Sequence, residues 1–173
     1  MLEEHIFLIG FMGVGKTSTS KQLSQKLKVR ETDTDAMIVQ QENRSIPEIF
    51  EQSGEPYFRQ VETEMLDLLA EQNPSIVSCG GGMAMREENV AKMKSIGRVI
   101  FLTATPETIY ERVKDSTNRP LLNGNMNIPY IRELMEVREP KYKAAADIVI
   151  ATDGQTPDQV ADRIIQDLKC MEK

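Results

Sequence analysis

From Gly10 to Thr17 the chain reads G-F-M-G-V-G-K-T, which satisfies the pattern G-x-x-x-x-G-K-[ST] in full. The stretch lies where such a loop has to lie, between an apolar run, Ile6 to Ile9, and a segment of helical periodicity. Its chemistry is the holding of a phosphate chain. Glycines let consecutive backbone N–H groups turn inward around phosphates, an approach that side chains would block. The helix that follows points its partly positive N-terminus at the same anions. Gly13, Val14, Gly15, Lys16, Thr17 and Ser18 are therefore the candidate nucleotide contacts. Lys16 can reach the outer phosphates, and the Thr17 hydroxyl is a candidate magnesium ligand. A glycine-rich turn that matches by accident is the alternative, and the flanking strand and helix weigh against it. This is a P-loop.

Four further clusters carry chemistry-bearing residues, and each has a plainer reading beside it. Asp33-Thr34-Asp35 ends a short β-prone stretch. Two carboxylates one residue apart on an extended backbone point to opposite sides, so one could face a metal and the other an acceptor hydroxyl. The plainer reading is a polar loop that caps the next helix. Arg59 follows Phe58 near a helix start, after Gly54 and Glu55. Alone, an arginine there is a solvated surface residue. Cys79-Gly80-Gly81-Gly82 stands directly beyond a buried strand, which suggests backbone laid against a ligand. A flexible turn is the rival. Cys79 itself reads as a small buried residue rather than a nucleophile, since no histidine partners it. The fourth cluster, residues 114–129, sets Asp115, Ser116, Asn118, Gly124, Asn125 and Asn127 around Arg119-Pro120-Leu121-Leu122. A long polar loop of this kind is a lid or is disordered. The arginine at its middle favours a lid that brings positive charge onto phosphates.

A frame of alternating strands and helices must hold these residues. Residues 5–9 read as a strand and 16–27 as a helix with Leu23 and Leu27 inward. A weaker strand, 29–32, runs into Asp33. Ser45-Ile46-Pro47-Glu48 is a capping box that opens a short helix stopping near Gly54. Pro56 begins a longer one with Val61, Met65, Leu68 and Leu69 on one face. Strands follow at 76–78, 99–102 and 148–150, and helices at 87–96, 106–113 and 128–142. Thr156-Pro157-Asp158-Gln159 caps a final amphipathic helix. The expected fold class is α/β: three layers, α/β/α, around a central five-stranded parallel sheet. Ligands should gather at the C-terminal ends of the strands.

At 173 residues, without internal repeats or a linker, the chain suits one domain, 1–173. Hydrophobic residues at 40% and charged residues at 28% are ordinary for a globular protein. A formal charge of −6 argues against general nucleic-acid or anionic-membrane binding, so any anion site must be a local cluster of Arg and Lys. The longest apolar stretch, from Ile6 to Gly15, is short and glycine-interrupted, and the N-terminus lacks the marks of a signal peptide. Cys79 and Cys170 make neither a metal pattern nor a disulfide framework, which points to a reducing cytoplasm. An N-K-x-D motif and a D-x-x-G switch after a strand are both missing, so a GTPase is not expected. Small kinases acting on metabolites or nucleotides remain.

Taken together, the motifs resemble those of the shikimate kinase family, from Ile6 to about Ile165. The family pattern joins a P-loop G-x-M-G-x-G-K-[ST], D-T-D, G-E-x-x-F-R, G-G-G, R-P-L-L and a late R-x-P-x-Y. Here these are residues 10–17, 33–35, 54–59, 80–82, 119–122 and 138–142, in order. The resemblance implies ATP- and magnesium-dependent phosphorylation of the 3-hydroxyl of shikimate, a step towards chorismate and the aromatic amino acids. It makes Lys16, Asp35 and Arg119 the catalytic set, with Arg119 on a mobile lid of about residues 114–129. Lys16 would contact phosphates, Thr17 one magnesium ion, and Asp33 that metal through water. Asp35 would meet the acceptor hydroxyl. Arg59 and Arg138 would hold the substrate carboxylate, with backbone contacts from Gly80, Gly81 and Gly82, and a substrate-binding helical segment at about 34–60. Arg112 would pack on adenine, with the Pro157 region on its other side, a place that suits a planar guanidinium.

The chain departs from the commonest family wording in three places. Ser78-Cys79 precedes the glycines, Ile38 is followed by Val39-Gln40 with no acidic residue there, and residues 113–118 lack the glycines often seen ahead of the lid arginine. None of these removes a charged group that the reaction needs. Two other functions compete. One is a kinase for another polyol acid such as gluconate, which would share the loop and lid but not the full motif set. The other is a non-catalytic ATP-binding module, which would be expected to lose Lys16, Asp33, Asp35 or an arginine. The absence of an obvious apolar surface stripe favours a monomer.

Overall fold

The computed structural model describes residues 2–116, 122 and 124–172. Its elements run β1 (His5–Ile9), α1 (Lys16–Leu27), β2 (Glu31–Asp33), α2 (Thr34–Glu42), α3 (Ile46–Ala70) and β3 (Ile76–Ser78). A short 3₁₀ turn, Met83–Met85, leads to α4 (Glu87–Ile96), β4 (Gly97–Thr103) and α5 (Pro106–Val113). Then come α6 (Ile128–Ala145), β5 (Ile148–Ala151) and α7 (Pro157–Met171). The sheet has the order β2-β3-β1-β4-β5, every pair parallel. β1 is central, which explains why its sequence is an unbroken buried run. Register sets Leu8 beside Ser78, and Ser78 beside Asp33. The α/β class and the five parallel strands are as the sequence leads one to expect.

Local signals account for most boundaries. Ser45 accepts from the Glu48 N–H, and the Glu48 carboxylate accepts from the Ser45 N–H at 2.6 Å, closing the capping box of α3. A second capping box, Thr156 with Gln159, opens α7. The helical run of α3 is broken at Gly54 (φ 82°, ψ 166°), so a short arm meets a long one there. β2 differs from expectation. It occupies 31–33 rather than 29–32, and α2 follows without a gap. The cause is Asp33, whose carboxylate accepts the Ala36 N–H at 3.0 Å and caps the helix from inside the motif. Asp35 is thus helical, not extended.

Two apolar cores result. The larger lies about the sheet and includes Phe7, Leu8, Leu66, Leu102 and Ile164. A smaller one, Ile38, Ile49, Phe58, Val61 and Met65, sits between α2 and α3. Among the described residues no helix is long and apolar enough to cross a membrane.

Candidate active site

The phosphate loop leaves the C-terminal end of β1. Gly13 (φ 82°) and Gly15 (φ 99°) occupy left-handed conformations that strain an L side chain. The Lys16 ammonium folds back across the loop and donates to the carbonyl oxygens of Gly10 (2.5 Å) and Phe11 (3.1 Å). Thr17 and Ser18 are exposed on the first turn of α1. Thr17 Oγ1 lies 3.4 Å from Ser78 Oγ, and Asp33 is the strand neighbour of Ser78. Hydroxyl and carboxylate oxygens therefore collect at adjoining strand ends. That donor set fits magnesium, which takes a few protein oxygens and completes its shell with phosphate and water.

The glycine triplet forms the other half of the site. Gly80 N–H donates to Thr34 Oγ1 at 2.9 Å, and Gly81 O accepts the Tyr142 hydroxyl at 2.5 Å. A methyl group placed on Gly80 would lie 2.7 Å from Asp35 Oδ1. One on Gly81 would lie 3.3 Å from Arg138 Nη1, and one on Gly82 would lie 2.7 Å from Arg59 Cζ. The three glycines thus face, in turn, a carboxylate and two guanidinium groups drawn from α2, α6 and α3. Arg138 stands 6.0 Å over the Phe11 ring, beside the start of the phosphate loop. Arg138 and Tyr142, four apart on α6, share a face.

Sequence reasoning passed over Glu62. It is 1% exposed, and its Oε1 accepts from Arg59 Nη1 at 2.6 Å. Oε2 is buried and has no hydrogen-bond partner among the described residues. Burial pushes the Glu62 carboxyl above the usual range, against the opposing pull of Arg59. The signal was an acid one turn from Arg59, within the stripe of Phe58, Val61, Met65 and Leu66 that forms the buried face of α3. Tyr142 was also missed as a contact; burial pushes its phenol up, so it remains a donor to Gly81. Burial pushes the Cys79 thiol far up as well, so that group is inert.

Arg112 reaches back from α5. Nη1 donates to Gly13 O and Val14 O, 3.1 Å each. An open groove of about 550 Å³ runs between Arg112 and residues 154–156, one residue short of Pro157. A tighter cavity of about 230 Å³ lies behind the site, between the end of β4 and α6. It meets the site through Phe11, Val14 and Tyr142 and touches neither Lys16 nor Asp35. Arg119, the expected lid arginine, lies outside the described residues.

The family model for shikimate kinase matches residues 12–169. The chain belongs to the shikimate kinase family. The shikimate kinase of Dehalococcoides mccartyi is 42% identical over 97% of this chain and 95% of its own length. That of Thermodesulfovibrio yellowstonii is 40% identical over 95% and 94%. The solved shikimate kinase of Acinetobacter baumannii, in complex with shikimate, superposes with a TM-score of 0.90 at 31% identity, covering 96% of this chain and 93% of that one. A gluconokinase from Sinorhizobium meliloti has a TM-score of 0.61 at 14% identity, a likeness of fold alone. The chain is thus a phosphotransferase that uses ATP and shikimate. In the kinase, a chain of net charge −6, three cationic side chains stand at the site: Lys16 at the loop, and Arg59 and Arg138 at the glycines.

Proposed function

We propose that the kinase transfers the γ-phosphoryl group of ATP to the 3-hydroxyl of shikimate, with one magnesium ion. The observation that supports this reading best is the convergence of Asp35, Arg138 and Arg59 on Gly80, Gly81 and Gly82, beside the phosphate loop. Two arginines suit a substrate carboxylate, since each guanidinium can bind it with two parallel N–H groups. Asp35 accepts the proton of the attacking hydroxyl, and the glycine backbone lets the ring approach. Glu62 holds Arg59 in place from its buried side. The N–H groups of residues 13–18 and the Lys16 ammonium hold the phosphates, where positioning and charge neutralisation do most of the catalytic work. Thr17 and Asp33 would hold the magnesium ion, Asp33 through water, and when bound the ion would supply charge neutralisation at the phosphates. Arg112 stacks on the base, with Pro157 and its neighbours opposite. Residues 114–129 act as a lid carrying Arg119, and 34–60 as the substrate-binding segment of a single domain. The kinase works as a cytoplasmic monomer on small molecules, not on nucleic acid or membranes.

ADP release in a coupled assay tests the reading. Shikimate should support turnover with magnesium and not without it, and gluconate should not support it. Lys16→Ala should fold normally yet lose about a hundredfold or more in turnover. Equal use of gluconate, or a folded Lys16→Ala variant with normal turnover, would overturn the assignment.

A further inference from the structure

Thr152 has no part in the roles assigned above, yet it is 2% exposed and bonded on every side. It follows β5 directly, and its N–H donates to Thr103 O at 2.8 Å. Its hydroxyl lies 3.0 Å from Val14 O and 3.3 Å from Thr103 O, and accepts from Arg112 Nη1 at 3.1 Å. Arg112 Nη2 donates to Thr152 O at 3.2 Å. A hydroxyl has a single proton to give. With Arg112 donating to it, the shorter path for that proton leads to the Val14 carbonyl.

The consequence concerns the opposite edge of the same peptide. In a trans peptide the N–H points away from the C=O that precedes it. Holding the Gly13 and Val14 carbonyls outward turns the N–H groups of Val14 and Gly15 to the other side. That side is the inside of the loop, because the Val14 N–H points to Phe11 O at 3.3 Å, the oxygen on which Lys16 also closes. Within the loop, the bond from Val14 N–H to Phe11 O orients the 13–14 peptide, whereas the carbonyl of the 14–15 peptide is held from outside, by Arg112 and Thr152. Glycines stand on either side of Val14, at 13 and 15, and have no side chain to restrict that peptide. An outside tether is needed.

We propose that Thr152 is a positioning residue of the phosphate loop: its hydroxyl, bonded to Val14 O and Arg112, sets the 14–15 peptide so that the Gly15 N–H faces the nucleotide phosphates. This rests on the nucleotide reading given above. Arg112 joins the two functions. Its Nη1 and Nη2 donate to the loop and Thr152 in the guanidinium plane, bonds that do not occupy the flat face assigned above to the base.

Thr152→Val keeps the shape and removes the hydroxyl, while Thr152→Ser keeps the hydroxyl. Binding of ADP, inorganic tripolyphosphate and shikimate to each is measured separately by calorimetry, or by competition against ATP for the weaker ligand. The valine variant should bind both ADP and tripolyphosphate about tenfold more weakly, the value of one hydrogen bond in affinity. Shikimate binding should stay within about twofold, and serine should restore both phosphate ligands. If the valine variant fails to fold by circular dichroism, Thr152→Ala takes its place in the same comparison. Loss of ADP binding with tripolyphosphate unchanged would mean that Thr152 acts through the base alone, and would overturn the proposal. Equal weakening of all three ligands, no weakening of any, or failure of serine to restore would overturn it too. Wild-type protein that bound neither phosphate ligand would instead defeat the nucleotide reading itself, a result distinct from any difference among variants.

Discussion

Asp33 and Asp35 stand two positions apart and are held by different means. Asp33 caps α2 and neighbours Ser78, whereas Asp35 is exposed on the first helical turn against Gly80. Their separation comes from a helix start, not from strand alternation, so the expected division of labour rests on a different geometry from the one the motif suggests. Asp35→Asn removes the charge proposed to face the acceptor and should cut turnover about a hundredfold while leaving the magnesium dependence near wild type. Asp33→Asn should raise the magnesium requirement; titrating the metal in both variants checks the split, and an exchanged pattern would reverse the roles. The arginines make a second test. Arg59→Lys and Arg138→Lys keep the charge but lose the planar fork, so shikimate affinity should fall about ten- to a hundredfold with ADP affinity unchanged. Calorimetry with each ligand alone reads this. Residues with a fixed motif position were legible in the sequence. Thr152 was not, because three-dimensional neighbours give it its meaning, and Glu62 left only a faint trace, an acid one turn from Arg59 within an apolar stripe, whose meaning comes from its burial.

At the scale of elements, the glycine triplet behaves as a surface against which three helices are fitted. Gly82→Ala would drive a methyl group into the Arg59 guanidinium. The Arg59 guanidinium must then shift, so shikimate binding should weaken at least tenfold while the melting temperature moves by only a few degrees. Unchanged substrate affinity in a folded Gly82→Ala protein would show that Arg59 has room to spare. Most elements could be placed from sequence, since capping boxes, Pro56 and the break at Gly54 are local chemistry and local chemistry is written in order. The exceptions have a common cause. β2 is three residues long and paired on one edge only, and α2 buries little beyond Thr34 and Ile38. Neither repeats its apolar pattern often enough to stand out, and tertiary packing decides both.

For the molecule as a whole, amide exchange offers the broadest test. Exchange across residues 114–129 should slow when an ATP analogue and shikimate are both present, as exclusion of water over the phosphates requires. Equal exchange with and without the two ligands would count against a lid. The same measurement bears on the division of the interior into two cores. Met37 packs against both, and otherwise the cluster between α2 and α3 is built from its own side chains. α3 joins the two through Leu66, which lies in the larger core, so the smaller nucleus is a seam within one folding unit: on warming, the side proposed to grip the acceptor is expected to come apart while the sheet and phosphate loop persist. On the binding mode proposed above, substrate would bridge Asp35 and Arg59 on that side to Arg138 on the other and so act as a staple across the seam. At about a hundred times its dissociation constant a ligand adds about 2.7 kcal/mol to the state that binds it. On that binding mode the acceptor would also be the last structural component of its own binding site.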